Sequence, residues 1–239
     1  MYKTFFSIII WPIWYIFFIP SLFLLFLIII LIPRQHLFYF IRPICWIYCF
    51  LAGQWLIKIN KAPDKDGGPY IYMFNHVSMF DQFMIGAYVP HYITAVAAIE
   101  VFKYPIWGFI IKKYGVIPIV RQKIRKAIGS LNLAEEAIKN GTSFLISPEG
   151  TRTLNGEIGL FKKGPFHLAK NTNATIVPVA LKGGFKAKKK SDWRVQPGKL
   201  TIVFGDPIEN SQFESLKIEE LQSLVLKRIL ELKKGSLYN

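Results

Sequence analysis

The chain begins with a long apolar run, after which the pattern changes to short alternating elements. Residues 5–32 are 28 residues without a charge, which exceeds the roughly 20 that a helix needs to cross the hydrocarbon core of a bilayer. A secretory signal peptide has a shorter apolar region and a small-residue cleavage site, whereas Pro33 and Arg34 follow this run directly. We therefore predict a helix that is retained and embedded in a membrane.

A second apolar and aromatic stretch, residues 37–59, follows a short polar hinge and contains Arg42. Two arrangements fit the pair of stretches: one transmembrane helix followed by an interfacial amphipathic helix, or a helical hairpin anchored in a single leaflet. Basic residues at the hinge and throughout the later chain favour a cytoplasmic position for the second half. We assign residues 1–57 to a membrane anchor and residues 58–239 to a second domain.

Beyond the Gly-Gly and Pro-containing linker at residues 58–68, short β-type runs alternate with amphipathic stretches. The predicted strands are 70–74, 93–98, 116–120, 143–147, 175–181 and 198–205, and the predicted helices are 79–88, 105–114, 123–140, 163–170 and 218–234. This alternation predicts an α/β fold with a mostly parallel sheet flanked by helices. Pro178 lacks an N–H for a central ladder, so its strand is expected at an edge or at a change of direction.

Charge is distributed very unevenly between the two parts. Residues 1–57 contain no Asp or Glu, whereas the remainder has 27 basic and 15 acidic residues, a net charge of +12. A strongly cationic domain attracts nucleic acid, anionic lipid or a phosphate-bearing substrate, and the apolar first part favours lipid over nucleic acid. Two cysteines four residues apart and four histidines give no zinc-site spacing. We expect no metal and no nucleic-acid partner.

The sharpest chemical motif is Asn-His-Val-Ser-Met-Phe-Asp at residues 75–81, which begins where the predicted strand 70–74 ends. On one continuous helix His76 and Asp81 would lie about 140° apart. If His76 lies instead in the turn and Asp81 in the first helical turn, the carboxylate can orient the imidazole and leave its other nitrogen as a base. The alternative is a turn pair that caps the helix, and for Ser78 we favour the role of N-cap over that of nucleophile.

Residues 147–152, Ser-Pro-Glu-Gly-Thr-Arg, follow another predicted strand. Pro148 and Gly150 favour a tight turn whose N–H groups can face an anion, and Arg152 offers a bidentate fork for phosphate. Glu149 can orient that arginine or bind a substrate hydroxyl, and the alternative is an ordinary loop with a surface ion pair. Further cations that can hold a phosphate are Arg121, at the end of a strand, and Lys162 and Lys163, at the start of a helix.

In content and in order, these motifs resemble those of the glycerophospholipid, or lysophosphatidic acid, acyltransferase family. The resemblance covers about residues 55–210. The family's four blocks correspond to residues 75–81 (NHxSxxD), 115–121 (an apolar segment with a glycine and a closing arginine), 147–152 (FPEGTR) and 177–178 (a central Val-Pro). Ser147 stands where the family usually has Phe.

The resemblance implies a catalytic role for the first block and acceptor binding by the second and third. His76 is then the base and Asp81 the residue that orients it. The predicted substrate-binding residues are Asn75, Ser78, Arg121, Glu149, Gly150, Thr151, Arg152 and Lys163. No cofactor is expected, because acyl-CoA or acyl carrier protein serves as the co-substrate.

The implied reaction moves a fatty acyl group from acyl-CoA or acyl carrier protein to the sn-2 hydroxyl of 1-acyl-glycerol-3-phosphate, giving phosphatidic acid. The expected partners are therefore membrane lipid, lysophosphatidic acid and the acyl donor. Family members with a similar N-terminus embed two helices in one leaflet, which favours the hairpin arrangement. Two alternatives stay open: an acyltransferase for a different lysolipid, and a non-catalytic protein that binds anionic lipid. An acceptor screen that also measures thiol release separates them.

Overall fold

The computed structural model describes residues 2–120 and 124–235. Its helices are α1 (Tyr2–Leu31), α2 (Phe38–Leu51), α3 (Asp81–Tyr88), α4 (Pro105–Tyr114), α5 (Ile124–Lys139), α6 (Gly164–Thr172), α7 (Gly184–Ala187) and α8 (Ile218–Lys234). Its strands are β1 (Gln54–Ile59), β2 (Tyr70–Phe74), β3 (Ile93–Ala98), β4 (Ile117–Ile119), β5 (Ser143–Ile146), β6 (Thr175–Lys182) and β7 (Gly198–Phe204). Strands and helices alternate along most of the chain, as the sequence pattern predicted.

In the described residues, the strands form one seven-stranded sheet in the order β1-β7-β6-β2-β5-β3-β4. Every neighbouring pair is parallel except β6 and β7, which are antiparallel. The prediction of a mostly parallel sheet flanked by helices is thus confirmed. All five residues of the central strand β2 are buried, in agreement with its continuous apolar sequence, which is typical of a strand covered on both faces.

Helices cover both faces of the sheet, so the domain has three layers. Successive side chains of a strand point to opposite faces, and in β2 Tyr72 joins the apolar core under α2 and α3, while Met73 joins the core under α5, α6 and α8. Strands β6, β2, β5, β3 and β4 run in the same direction, so their carboxyl ends lie at one edge of the sheet. The motif that contains His76 starts at this edge, directly after β2.

The ends of several elements follow from local sequence. The helix predicted at 105–114 is observed with these bounds, because Pro105 suits the first helical position and Gly115 takes the left-handed conformation (φ 97°) that ends it. The strands 70–74 and 93–98 and the helix 218–234 also have the predicted bounds. The helix predicted at 79–88 begins two residues later, at Asp81.

Strand β1 was not predicted, because residues 37–59 were assigned to the membrane segment. It pairs in parallel with β7, and Gln54 lies opposite Gly198. A partner 144 residues away leaves no local signal in the sequence. The predicted boundary between residues 57 and 58 falls inside this strand, and the division of the chain into anchor and second domain stays a prediction.

Pro178 lies in an interior strand, so the expectation of an edge strand was wrong. Its strand β6 is flanked by β2 and β7. Proline is tolerated because the ladder between β6 and β7 is interrupted at this point. The paired register starts at Val179, the next contact is an isolated bridge between Ile176 and Ile208, and the Pro178 carbonyl accepts the N–H of Gly205 at 2.9 Å.

Helices α1 and α2 form the N-terminal pair. By length and composition, α1 is long and apolar enough to cross a membrane. One side of α1 exposes large apolar side chains, whereas the other is fastened to the rest of the protein. Near its start the Trp11 indole N–H donates to the Trp193 carbonyl at 2.9 Å, and near its end the ring of Phe26 lies 5.0 Å from that of Phe109 in α4. Helix α1 thus runs along the surface of the domain.

Candidate active site

The side chains of His76 and Asp81 meet where β2 gives way to α3. His76 Nδ1 and Asp81 Oδ2 are 2.7 Å apart, and the same oxygen accepts the N–H groups of Val77 at 2.7 Å and Ser78 at 3.0 Å. The chain folds back here, as the sequence analysis required for a working pair. Because Oδ2 already accepts two main-chain N–H groups, it suits a donor at Nδ1, which corresponds to the imidazole tautomer with its proton on Nδ1.

This hydrogen bond leaves His76 Nε2 with its lone pair. The His76 side chain is 25% exposed, whereas that of Asp81 is 1% exposed. Among the described residues, Nε2 has no hydrogen-bond partner, and the ring packs edge-on against Phe74. An imidazole with a buried carboxylate on one nitrogen and an accessible lone pair on the other is suited to general-base chemistry.

The main chain of His76 is hydrogen-bonded to the segment that follows β5. Its N–H donates to Glu149 Oε1 at 2.7 Å, and its carbonyl accepts the N–H of Thr153 at 2.9 Å. The other carboxylate oxygen of Glu149 accepts the N–H of Gly159 at 2.8 Å. Burial raises the pKa of Glu149, and the hydrogen bonds from Gly159 and His76 oppose this shift. Glu149 thus joins the histidine turn to the loop beyond it.

The turn at residues 147–150 is tight, as predicted. The Gly150 N–H donates to the Ser147 carbonyl at 3.1 Å, and Gly150 has a φ of 69°, in the left-handed region that favours glycine. The Lys162 N–H donates to the Pro148 carbonyl at 2.8 Å, which ties the far end of the loop to the turn. The two motifs of the sequence analysis are therefore parts of one structure around His76.

The acyltransferase family model matches residues 57–182 of the 239 in this chain. The chain belongs to the acyltransferase family. The family match contains the His76–Asp81 pair and the whole Ser147–Arg152 segment, whereas α1 and β7 lie outside it.

Several curated proteins similar to this chain are enzymes named for one reaction. A 1-acyl-sn-glycerol-3-phosphate acyltransferase of Cocos nucifera is 33% identical over 186 residues, which are 75% of this chain and 60% of the relative. The enzyme of the same name from Saccharomyces cerevisiae is 34% identical over 63% of this chain and 51% of its own length. The chain spans 50 to 60% of the length of several such relatives.

A solved structure shares the fold of this chain. The 1-acyl-sn-glycerophosphate acyltransferase PlsC from Thermotoga maritima matches with a TM-score of 0.82 over 99% of each chain, at 20% sequence identity. At that identity the likeness establishes the fold, including the N-terminal helices that precede the sheet.

Several side chains that were predicted to bind substrate are engaged in hydrogen bonds within the protein. Asn75 is fully buried and bonds the main chain of Leu181 in β6. The Ser78 hydroxyl donates to the Lys188 carbonyl at 3.0 Å. The prediction of Ser78 as N-cap was wrong: the cap position is Phe80, because the Asp81 carboxylate already bonds the Ser78 N–H and delays the helix. Contacts of Asn75, Ser78 and Glu149 with substrate stay predictions.

The predicted cations differ in their surroundings. Arg152 has no acidic partner among the described residues, whereas the Lys163 ammonium pairs with Glu219 of α8 at 2.5 Å on an exposed surface. Thr151 is exposed, and its hydroxyl accepts a hydrogen bond from Lys190 at 3.0 Å. Arg121 lies outside the described residues. The roles of Arg121, Thr151, Arg152 and Lys163 in substrate binding stay predictions.

Thr153 and Gly184 were not assigned to the site from the sequence, and Lys190, in the basic cluster 186–190, was expected in a solvated loop, with contact to a lipid headgroup as the alternative. A Cβ on Gly184 would lie 2.9 Å from Val77 and 3.0 Å from Ser78, so glycine allows α7 to pack directly on the histidine turn. The one signal available was that basic residues cluster at 186–190 beside a glycine pair. Their position relative to the site depends on how β6 lies next to β2, which the sequence pattern does not encode.

Proposed function

We propose that this chain transfers a fatty acyl group from acyl-CoA or acyl carrier protein to the sn-2 hydroxyl of 1-acyl-glycerol-3-phosphate. The observation that carries the proposal is the 2.7 Å contact between His76 Nδ1 and buried Asp81, with the accessible Nε2 beside a cationic turn. The names of the curated relatives support the same reaction.

In the proposed reaction, His76 Nε2 takes the proton from the acceptor's glycerol hydroxyl. The oxygen attacks the thioester carbonyl, the carbon–sulfur bond breaks, and the thiolate leaves with the proton that Nε2 returns. Asp81 holds the ring in the required tautomer and stabilises the imidazolium that forms. Since the hydroxyl attacks the thioester directly, no covalent acyl-enzyme is needed.

In this proposal the acceptor's phosphate is held by Arg152, the cation of the 147–152 segment. A guanidinium bonds a phosphate in bidentate fashion, and the absence of an acidic partner for Arg152 among the described residues keeps it available. Arg121, predicted for the same task, lies outside those residues.

We further propose that the enzyme is anchored in one leaflet of a membrane, with the sheet domain on the cytoplasmic side. Helix α1 exposes apolar side chains such as Phe5, Ile16 and Leu27, which favours contact with lipid. The contacts of Trp11 and Phe26 with the sheet domain tie both halves of α1 to it, and this supports the hairpin arrangement over a free span. The excess of basic residues favours the cytoplasmic side.

The direct test uses purified protein with acyl-CoA or acyl carrier protein and a panel of lysolipids, measured by thiol release and product mass. His76→Ala should lower kcat by about 10² to 10⁴ without changing the thermal unfolding temperature. His167→Ala, which alters an exposed histidine of α6, is the matched control. Near-normal transfer by the His76 variant would refute the mechanism, and a preference for another lysolipid would redefine the acceptor.

A further inference from the structure

The short helix α7 lies directly against the turn that carries His76. The contact is closest at Gly184, the first residue of α7. A Cβ built there would be 2.9 Å from Cγ2 of Val77 and 3.0 Å from Cβ of Ser78. It would also be 3.4 Å from Oδ1 of Asp81. Carbon atoms in favourable contact are about 3.5 to 4.0 Å apart, so the space between α7 and the turn fits a glycine and is too small for a side chain.

The backbone at position 184 does not itself require glycine. The preceding residue, Gly183, has a φ of 85°, in the left-handed region, whereas Gly184 has a helical conformation within α7. Alanine is the best helix former, and the backbone of α7 would accept it at this position. The requirement for glycine at 184 therefore comes from the neighbouring turn.

Helix α7 is held in place from the side of β7, so it has no room to move away from the turn. A Cβ on Gly183 would be 2.1 Å from the carbonyl oxygen of Lys199, which shows how closely the start of α7 approaches the main chain of β7. At the other end of α7, the Ala187 carbonyl accepts the N–H of Gln196 at 2.8 Å. A methyl group at position 184 would therefore displace the turn rather than α7.

The turn residues that α7 contacts are those that hold the carboxylate of Asp81. The N–H groups of Val77 and Ser78 bond Asp81 Oδ2, and the same oxygen lies 2.7 Å from His76 Nδ1. The Val77 side chain is buried in the apolar core, so it has little freedom to turn aside. A displacement of Val77 and Ser78 would therefore move the carboxylate relative to the imidazole, and hydrogen bonds weaken steeply when they are misaligned.

We propose that Gly184 is a positioning residue for the His76–Asp81 pair. Because it has no side chain, α7 can hold the turn in the position in which the carboxylate orients the base. This inference rests on the proposed function and extends it, since Gly184 lies beyond the 57–182 family match and outside the four sequence blocks. Gly184 acts through Val77 and Ser78 and does not contact the substrate.

The variant Gly184→Ala tests the proposal by kinetics. We expect kcat to fall about tenfold to a hundredfold, whereas the KM values for donor and acceptor stay within about twofold. Because a displaced carboxylate stabilises the imidazolium less, the fall of kcat/KM at acidic pH should move to lower pH. The variant leaves Glu149 and Lys188, whose atoms bond the turn, unchanged. A protein that was merely less stable would keep the pH profile of the unaltered enzyme.

The double variant Val77→Ala/Gly184→Ala tests the contact itself. Alanine at position 77 lacks Cγ2, the atom closest to the added methyl group, so the double variant should recover most of the lost kcat, although Val77→Ala alone lowers stability. If Gly184→Ala does not fold, the double variant is compared with Val77→Ala. The remaining contact with Ser78 Cβ should then give the same changes in weaker form.

Gly198→Ala is the matched control. It lies at the start of β7, and a Cβ built there meets no atom within 4 Å, so kcat and the pH profile should stay as in the unaltered enzyme. A normal kcat in Gly184→Ala would refute the positioning role. A lower kcat with an unshifted pH profile and no recovery in the double variant would refute it as well.

A spectroscopic measurement separates this inference from the proposed reaction. With isotope-labelled histidine, the proton on His76 Nδ1 that bonds Asp81 should give a downfield resonance that His76→Ala removes. This resonance should persist in Gly198→Ala and move upfield or disappear in folded Gly184→Ala. That result in a protein without acyl transfer would support the positioning role and refute the reaction. Acyl transfer with the same resonance and pH profile in Gly184→Ala as in the unaltered protein would have the opposite meaning.

Discussion

The carboxamide of Asn75 bonds both main-chain groups of Leu181, donating to its carbonyl at 3.0 Å and accepting its N–H at 2.8 Å. The two residues are 106 positions apart in the chain. This pair fastens the turn that bears His76 to β6. The side chain of Asn75 is thereby occupied within the protein, so its contribution to activity is expected to come through the position of its neighbour.

Replacing Asn75 by Ala should therefore lower stability first. The change leaves the N–H and carbonyl of Leu181 buried without partners, which costs about 2 to 4 kcal/mol. We expect a lower thermal unfolding temperature in detergent, together with a lower kcat. Asn171→Ala, which removes an exposed amide that bonds Glu135, should have little effect. A raised acceptor KM at unchanged stability would instead support the predicted contact of Asn75 with substrate.

Asp81→Asn tests the orientation of the base. Asparagine can still accept the N–H groups of Val77 and Ser78 through its carbonyl oxygen, so the turn should survive. The negative charge that stabilises the imidazolium is lost, and kcat should fall by about 10² or more while the KM values change little.

Combining Asp81→Asn with His76→Ala gives a sharper test of whether Asp81 acts through His76. If Asp81 acts only through His76, the double variant should be no less active than His76→Ala alone, because residues that act as a unit are not additive. Steady-state rates of the three variants decide this. A further large loss in the double variant would mean that Asp81 has a separate role.

Ser7 connects the N-terminal helix to the loop beside the active site. Its buried hydroxyl accepts the N–H of Val195 at 2.9 Å. In Ser7→Ala this N–H loses its partner, and we expect a loss of about 1 to 2 kcal/mol together with faster proteolysis near residues 188–195. Thr4→Ala alters a nearby hydroxyl of α1 that has no bond to this loop among the described residues. Equal proteolysis of both variants would show that the Ser7 bond does not hold the loop.

His91 should make stability depend on pH. It is buried next to the Tyr72 hydroxyl, and its pKa is lowered from 6.5 to about 4, chiefly by burial and also by the charge of Lys65, with Asp64 opposing. Because the unfolded state binds a proton at higher pH than the folded state, stability falls as pH drops from 6.5 towards 4. The loss amounts to roughly 2 to 3 kcal/mol.

This dependence is measured by thermal unfolding between pH 7.5 and pH 4.5. The variant His91→Gln, which cannot titrate, should lose less stability over this range than the unaltered protein. His167→Gln, at an exposed histidine, should follow the unaltered protein. Identical slopes for the unaltered protein and His91→Gln would show that His91 does not contribute.

The sequence alone was sufficient to predict several elements and the chemical pair. The apolar run 70–74 indicated a strand, and the stretch 105–114 indicated a helix whose ends Pro105 and Gly115 set. On one continuous helix the side chains of His76 and Asp81 would face apart, so a turn was the arrangement in which they could meet. These are local effects, since they depend on side-chain periodicity and on backbone conformations that few residues adopt.

Only the tertiary structure decided which side chains remain available around that pair. Asn75, Ser78 and Glu149 had the residue types of binding groups, yet their polar atoms bond Leu181, Lys188 and Gly159. Strand β1, the interior place of Pro178 and the approach of Lys190 to Thr151 likewise depend on partners far along the chain. Buried polar groups must be bonded, and the nearest partner is set by which strands and loops become neighbours in space, which local sequence patterns do not contain.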